Sequence, residues 1–477
     1  MDAVRALLIS TYDLGRQPFG LASPAAWLRR EGLDVSCVDL SKEKISEDVV
    51  RSASLVAFHL PMHTATRLAG PVIQQVRVWN KSARLCAYGL YAPLNADWLR
   101  SLGVDDVFGG EFEEDLTSVS RELLHPSGDS PNGGSPAVDE PAARSPRAER
   151  HSLPRLQFLA PDRSGLPPLT RYATLQLGTG ESRVTGYTEA SRGCRHRCRH
   201  CPVVPIYEGQ FRIVQADVVA ADIAAQVAAG AQHITFGDPD FLNGPTHALR
   251  TVEALHEAHS SVTYDVTVKI EHLLRHRALL PRLRDTGCVL ITSAVESIDD
   301  RVLAFLDKGH TRQDFVDVVD LCRENRVTLT PTFVAFHPWL SLEDYCDLLD
   351  TIAALDLVDH VAPIQLAIRL LIPAGSRLLE LAEIRPWLGG FDPATLAYRW
   401  SHPDPRVDRL HANLSAIVAN RLTADRREVF AEVSAVAHER AGIPAPSPPN
   451  TPPARVPYLS EPWYCCAEPA PDQLRVV

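Results

Sequence analysis

The sequence predicts an α/β protein: an N-terminal doubly wound domain, a partial (βα)6 barrel, a short helical C-terminal region and a proline-rich tail. Three observations predict it. Short apolar runs alternate with helical stretches over residues 1–124, and six further βα units follow over 166–385. A Pro-, Gly- and Ser-rich segment without apolar period, "HPSGDSPNGGSPAVDEPAARSPRAERHS" (125–152), divides the two alternations. A chain of 477 residues is long for one core, so two or three domains are expected.

In the first domain the runs "VRALLIS" (4–10), "LDVSCVDL" (33–40), "SLVAFHLP" (54–61) and "RLCAYGL" (84–90) have the unbroken apolarity of buried parallel strands. The stretch "SPAAWLRREG" predicts a helix capped by Ser23, with Pro24 in its first turn and Gly32 at its stop. Ligands of doubly wound domains bind beyond the carboxyl ends of the strands, here "TYDLG", "HLPMHT" and "GLYAP". Residues 125–165 are expected to be a disordered linker.

The barrel strands are predicted at "RVTGYTEA" (183–190), "HITFGD" (233–238), "VTYDVTVKI" (262–270), "CVLITSAVE" (288–296), "VTLTPTFVAF" (327–336) and "VAPIQLAI" (361–368). Helical stretches such as "ADVVAADIAAQVAAGA" and "QDFVDVVDLCREN" separate them. An active site is then expected at the carboxyl ends of the strands. Lys269 and Glu271 would end the third strand, and Gln365 and Arg369 would share a face of the sixth, as ligands or as rim ion pairs. Residues 386–442 read as a helical region, with Val407, Leu410, Leu414 and Ile417 on one helix and Phe430, Val433 and Val436 on the next, ending at Gly442. Residues 443–477 form the tail.

Composition narrows the function. A net charge of −11, from 48 basic and 59 acidic residues, argues against general nucleic-acid binding. No apolar run is long enough to span a membrane, and the N-terminus reads as a buried strand rather than a signal peptide. Ten cysteines, three clustered and two adjacent, do not form a disulfide framework in a chain this large, so a reducing cytoplasm is expected.

The chemistry concentrates in "EASRGCRHRCRHCPVVP" (189–205), where Cys194, Cys198 and Cys201 are spaced C-x3-C-x2-C. Three thiolates on one loop hold a soft metal centre but leave a four-ligand centre one ligand short. One reading is zinc, with His196 or His200 as the fourth ligand. The other is an iron–sulfur cluster with one open iron, its negative charge offset by Arg192, Arg195, Arg197 and Arg199.

This triplet after the first barrel strand resembles the radical S-adenosylmethionine (SAM) superfamily, as do "SRGC" and "AVESIDDRVLAFLDKGHT" (294–311). The resemblance covers about residues 166–385. It implies a [4Fe–4S] cluster on Cys194, Cys198 and Cys201, SAM chelated at the open iron, and a one-electron donor such as a flavodoxin or ferredoxin. It also implies that Asp238 and Asp240 contact the SAM amino group, that Glu296 and Ser297 lie near its ribose and methionine portions, and that His200 replaces the usual aromatic neighbour of adenine. The N-terminal domain, with "FGGEFEEDL" (108–116) before a linker, resembles the cobalamin-binding domain of a radical SAM subgroup rich in methyltransferases. An Asp-x-His-x-x-Gly motif for a lower cobalt ligand is absent, so either the corrin binds without a protein histidine or the domain has lost it; His59 and His63 are the nearest candidates. The tail "CCAEP" resembles the CUAEP/CCAEP-tail radical SAM proteins, some with selenocysteine at the position of Cys466, which implies a catalytic role for Cys465 and Cys466. The expected reaction is methyl transfer to an unidentified substrate. The alternatives are alkylation or redox handling of a soft element such as arsenic or selenium, and a non-catalytic zinc protein.

Overall fold

The computed structural model describes residues 4–125, 153–419, 421, 424–446 and 452–461. The chain divides into two compact units. One takes residues up to Asp13 together with Pro18–Leu166, and the other takes Leu14–Gln17 and the chain from Pro167 onward.

The first unit is a parallel sheet of β1 (Arg5–Ser10), β2 (Asp34–Asp39), β3 (Leu55–His59), β4 (Arg84–Tyr88) and β5 (Asp106–Phe108), in the order 2-1-3-4-5. This is a doubly wound order with its switch point between β1 and β3. Leu8, Ala57, Cys86 and Tyr88 pack one face against Leu21, Leu28 and Leu116. The first helix spans Phe19–Arg30 and starts behind Pro18, four residues before the sequence places it. Ser23 is therefore not a cap: its hydroxyl donates to Glu113 Oε1 at 2.6 Å inside the core. Pro24 falls within the helix and cannot donate to the Gly20 carbonyl. The buried Tyr88 hydroxyl takes that carbonyl instead, at 2.8 Å. Gly32, with φ of +88°, ends the helix as expected. Residues 153–165 depart from the expected linker: Leu156 and Phe158 are buried, and Asp162 pairs with Arg29 at 2.7 Å and accepts the Ser164 hydroxyl. Two apolar anchors in a polar segment are enough to tie it down.

The second unit is built on β6 (Thr174–Gln176), β7 (Ser182–Thr188), β10 (His233–Phe236), β11 (Thr263–Thr267), β12 (Cys288–Glu296), β13 (Thr328–Phe333) and β16 (Tyr458–Leu459). A short hairpin of β8 (Ser191–Gly193) and β9 (Phe211–Ile213) brackets the cysteine loop. Another, β14 (Leu388–Asp392) with β15 (Ala397–Trp400), opens the region read as purely helical. The main sheet runs 13-12-11-10-7-6-16, with the strands from β7 to β13 parallel and β6 and β16 added antiparallel at one edge. It is a curled half-barrel.

The sixth predicted strand does not form. Pro363–Leu366 is a 3-10 turn, and strand pairing there reduces to a bridge between Phe336 and Arg369. Pro363 removes a ladder donor, and the turn lets Gln365 Oε1 accept from the Phe333 amide at 3.0 Å. Arg369 pairs with Asp408 at 2.9 Å and lies over the Trp400 ring, so it serves packing. The helices Pro405–Ala419 and Arg426–Ala441 form as expected, with Val418 rather than Ile417 buried on the first. No helix among the described residues is long and apolar enough to cross a membrane.

Candidate active site

Every barrel residue singled out from the sequence, Gln365 and Arg369 excepted, stands on the segments that leave β7, β10, β11 and β12 at their carboxyl ends. Asp238 fixes where the cysteine loop starts. Its carboxylate accepts from the Ala190 amide at 2.9 Å and the Ser191 hydroxyl at 2.5 Å, and burial pushes it up to about 7. Gly193 then turns with φ of +75°; a Cβ there would lie 2.4 Å from the Tyr207 ring and 2.5 Å from the Gln210 carbonyl oxygen. Cys198 is buried, Cys194 and Cys201 are half-buried, and none of the three is in a disulfide. Burial pushes Cys194 up to about 11, so the thiolate form at neutral pH requires a bound metal.

Three of the four loop arginines are committed to the fold. Arg192 pairs with Glu189 at 2.8 Å, Arg195 lies over Phe211, and Arg199 donates to the carbonyls of Ala304 and Phe305. A buried cation electrostatically coupled to Cys198 and Cys201 is Lys308, which the sequence reading did not single out. It is buried and 3.4 Å from Glu296 Oε1. Burial opposes its charge, but Glu296 and the Cys198 and Cys201 thiols raise its pKa. Its signal was the "DKGHT" segment, whose lysine follows the helix Asp300–Leu306.

Glu296 closes β12 in a left-handed conformation, φ +69°, where the register with β13 slips. Burial would raise its carboxyl, but Lys308 and His200 outweigh burial and hold it at about 2. His200 Nε2 lies 3.0 Å from Glu296 Oε1, so the structure joins His200, Glu296 and Lys308 in one buried charge cluster. Ser297 Oγ accepts from the Asp299 amide at 3.1 Å. Glu296 and Ser297 also line a small cleft with Asp299, His337 and Asp344.

Asp240 belongs to a different cluster from Asp238. Its Oδ2 is 2.8 Å from His272 Nδ1 and 3.5 Å from His196 Nε2, and these histidines outweigh burial to lower its pKa. Lys269 and Glu271 do not end β11, which stops at Thr267. They start the helix Ile270–Arg275 and flank His196, with Lys269 Nζ 3.0 Å and Glu271 Oε2 3.5 Å from its Nδ1. In the first unit His59 ends β3 against Tyr88 and Phe112, and His63 opens the helix His63–Trp79. Cys465 and Cys466 lie outside the described residues.

Residues 188–352 match the family model described as the radical SAM superfamily. The chain carries a radical SAM domain. It is therefore an enzyme. The chain is similar to OxsB, a cobalamin-dependent S-adenosylmethionine radical enzyme solved with aqua-cobalamin. That match has a TM-score of 0.68 and 15% identity, over 92% of this chain and 72% of that one. The chain is also similar to the radical S-adenosylmethionine methyltransferase TsrM from Kitasatospora setae, solved with cobalamin and a [4Fe–4S] cluster. There the TM-score is 0.63 at 16% identity, over 94% of this chain and 92% of that one. A second TsrM structure, with tryptophan substrate and the SAM analogue aza-SAM, matches at 0.62 and 14% identity, over 92% and 95% of the two chains. At these identities the likeness is one of fold.

Proposed function

We propose that this chain is a cobalamin-dependent radical SAM enzyme that transfers a methyl group to a substrate not yet identified, and that Cys194, Cys198 and Cys201 hold a [4Fe–4S] cluster. The observation that carries the reading is the set of three cysteines outside any disulfide on one loop at the carboxyl end of β7, coupled electrostatically to the buried Lys308 cation. Three sulfurs with no fourth beside them fit a cluster with one open iron, and a buried cation offsets its negative charge. When bound, that cluster supplies the electron that splits SAM reductively. The chain's own residues have three tasks. Asp238 and Gly193 fix the loop, the His200–Glu296–Lys308 cluster sets the charge beside it, and Glu296 and Ser297, at the end of β12, contact the SAM ribose and methionine portions. Reducing equivalents come from a flavodoxin- or ferredoxin-type donor in the cytoplasm.

Anaerobically reconstituted protein should bind about four iron per chain and release 5′-deoxyadenosine from SAM under reduction. Replacing any one of the three cysteines by Ala should abolish release. Full activity of Cys198→Ala with stoichiometric zinc would instead support the zinc reading. For the first unit, added cobalamin should give a visible spectrum without a nitrogenous lower ligand from protein, because His59 is packed against aromatic rings and His63 is buried at a helix start. Retained product formation without any corrin would remove cobalamin from the proposal.

A second reading, soft-element handling through Cys465 and Cys466, is favoured by the direction of β16. This strand is antiparallel to β6, which is antiparallel to β7, so it runs with the barrel strands. Ser460 and Glu461 thus leave β16 on the side of the sheet that carries the cysteine loop, and vicinal thiols chelate thiophilic centres. Removing residues 462–477 should spare SAM cleavage and abolish product. Product at the full rate would exclude a catalytic tail.

A further inference from the structure

We infer that His196, Asp240 and His272 form a second metal site, for a borderline divalent transition ion such as zinc, beside the cysteine loop and separate from its thiols. One nitrogen of each ring and one Asp240 oxygen lie within 4.8 Å of one another. The three come from different segments: the cysteine loop, the turn after β10 and the helix after β11. An ion with bonds of about 2.1 Å sets neighbouring ligand atoms about 3.0–3.4 Å apart. The distances from Asp240 Oδ2, 2.8 Å to His272 and 3.5 Å to His196, bracket that range.

Hydrogen bonding points the same way. Asp240 and His272 are only 1% and 4% exposed, yet Asp240 Oδ2 and His272 Nδ1 make no hydrogen bond, even with each other at 2.8 Å. Buried polar atoms are rarely left so, because the lost hydration is then not replaced. Two such atoms facing one another with unused lone pairs are oriented as ligands. Asp240 Oδ1 accepts from the Leu242 amide at 3.2 Å, which fixes the carboxylate with Oδ2 toward the histidines. Outside the triad, Lys269 Nζ at 3.0 Å and Glu271 Oε2 at 3.5 Å flank His196 Nδ1 and hold the ring in place. Lys269, 3.4 Å from Glu271, balances that carboxylate.

Two imidazoles and one carboxylate are the donor set of zinc and non-haem iron centres that keep positions open. The open side here is that of His196, whose side chain is 14% exposed while those of Asp240 and His272 are 5% or less. The ion would therefore present a vacant position on the side of His196, where a further oxygen or nitrogen donor can bind. Asp240 is then committed to the ion rather than to the SAM amino group.

The test loads cluster-reconstituted full-length protein with zinc, removes excess by gel filtration, and measures metals and zinc-edge X-ray absorption. Wild-type protein should keep about one zinc beyond the cluster iron, with only nitrogen and oxygen ligands at about 2.0–2.1 Å. His272→Ala and Asp240→Asn should each lower retained zinc at least about tenfold while iron and sulfide stay at the wild-type level, which also reports folding. Glu271→Gln, outside the ligand set, should weaken zinc less than either. Zinc with sulfur ligands at about 2.3 Å, no retained zinc, or equal zinc in His272→Ala would overturn the site. Loss of the cluster alone, in a Cys198→Ala variant that still retains nitrogen- and oxygen-bound zinc, would count against the proposed function and leave this site standing.

Discussion

At the residue scale the strongest commitments are buried charges. Glu296 and Lys308 satisfy one another without solvent, so removing one partner strands the other. Glu296→Gln should destabilise the apoprotein by about 3–5 kcal/mol in urea unfolding, and adding Lys308→Met should recover much of the loss. An unchanged urea midpoint for Glu296→Gln would show that the pair is not closed. The same carboxyl sets an acid limb. Its folded pKa of about 2 is below the ordinary 4.5, so its contribution is present above pH 4.5 and is lost as pH falls toward 2. That contribution is on the order of 3 kcal/mol. His310 acts in the same direction: burial, with Lys308 and Lys269 adding, holds its ring down at about 3, so stability falls between pH 6.5 and 3 as the unfolded chain takes up the proton first. Apoprotein melts from pH 7 to 3 should slope downward, and the slope below pH 4.5 should flatten in Glu296→Gln.

At the scale of elements, turns place the chemistry more than strands do. Gly193 is the hinge between β8 and Cys194, and it needs both a left-handed backbone and the space that a Cβ would fill. Gly193→Ala should leave the secondary structure intact by circular dichroism but cut iron incorporation severely, because the loop must shift away from Tyr207 and Gln210. Iron content equal to wild type would mean that the loop tolerates the shift. In the first unit, the Pro24 substitution for a helical donor works only because Tyr88 supplies another. Tyr88→Phe should cost about 1–3 kcal/mol by leaving the Gly20 carbonyl buried without that partner.

For the molecule as a whole, the C-terminal segment closes a sheet edge. Arg427 pairs with Asp359 at 2.6 Å, Asp359 accepts from the Ala454 amide at 2.7 Å, Val456 is buried, and Tyr458 lies under Arg426. These contacts guide the chain onto β6. Removing residues 462–477 should leave the melting temperature unchanged. Removing 452–477 bares the β6 edge and should lower it by about 2–4 °C for each kcal/mol lost, with more aggregation on heating. Equal melting temperatures for the two truncations would show that β16 contributes nothing.

The sequence by itself determined the two α/β alternations, the β12 strand Cys288–Glu296 to the residue, the C-terminal helices and the cysteine spacing, because these are local: apolar period, caps and short-range ligand geometry are written in consecutive residues. Only the tertiary structure decided what is made by distant segments. It decided that Pro363 turns a predicted strand into a 3-10 element, and that Asp238 and Asp240, two residues apart, take unrelated partners. It also coupled Lys308, rather than the loop arginines, to the cluster's thiols and brought His272 to His196 across 76 residues. Burial and the pairing of charges depend on which side chains converge at the carboxyl ends of the strands, and no local pattern encodes that convergence.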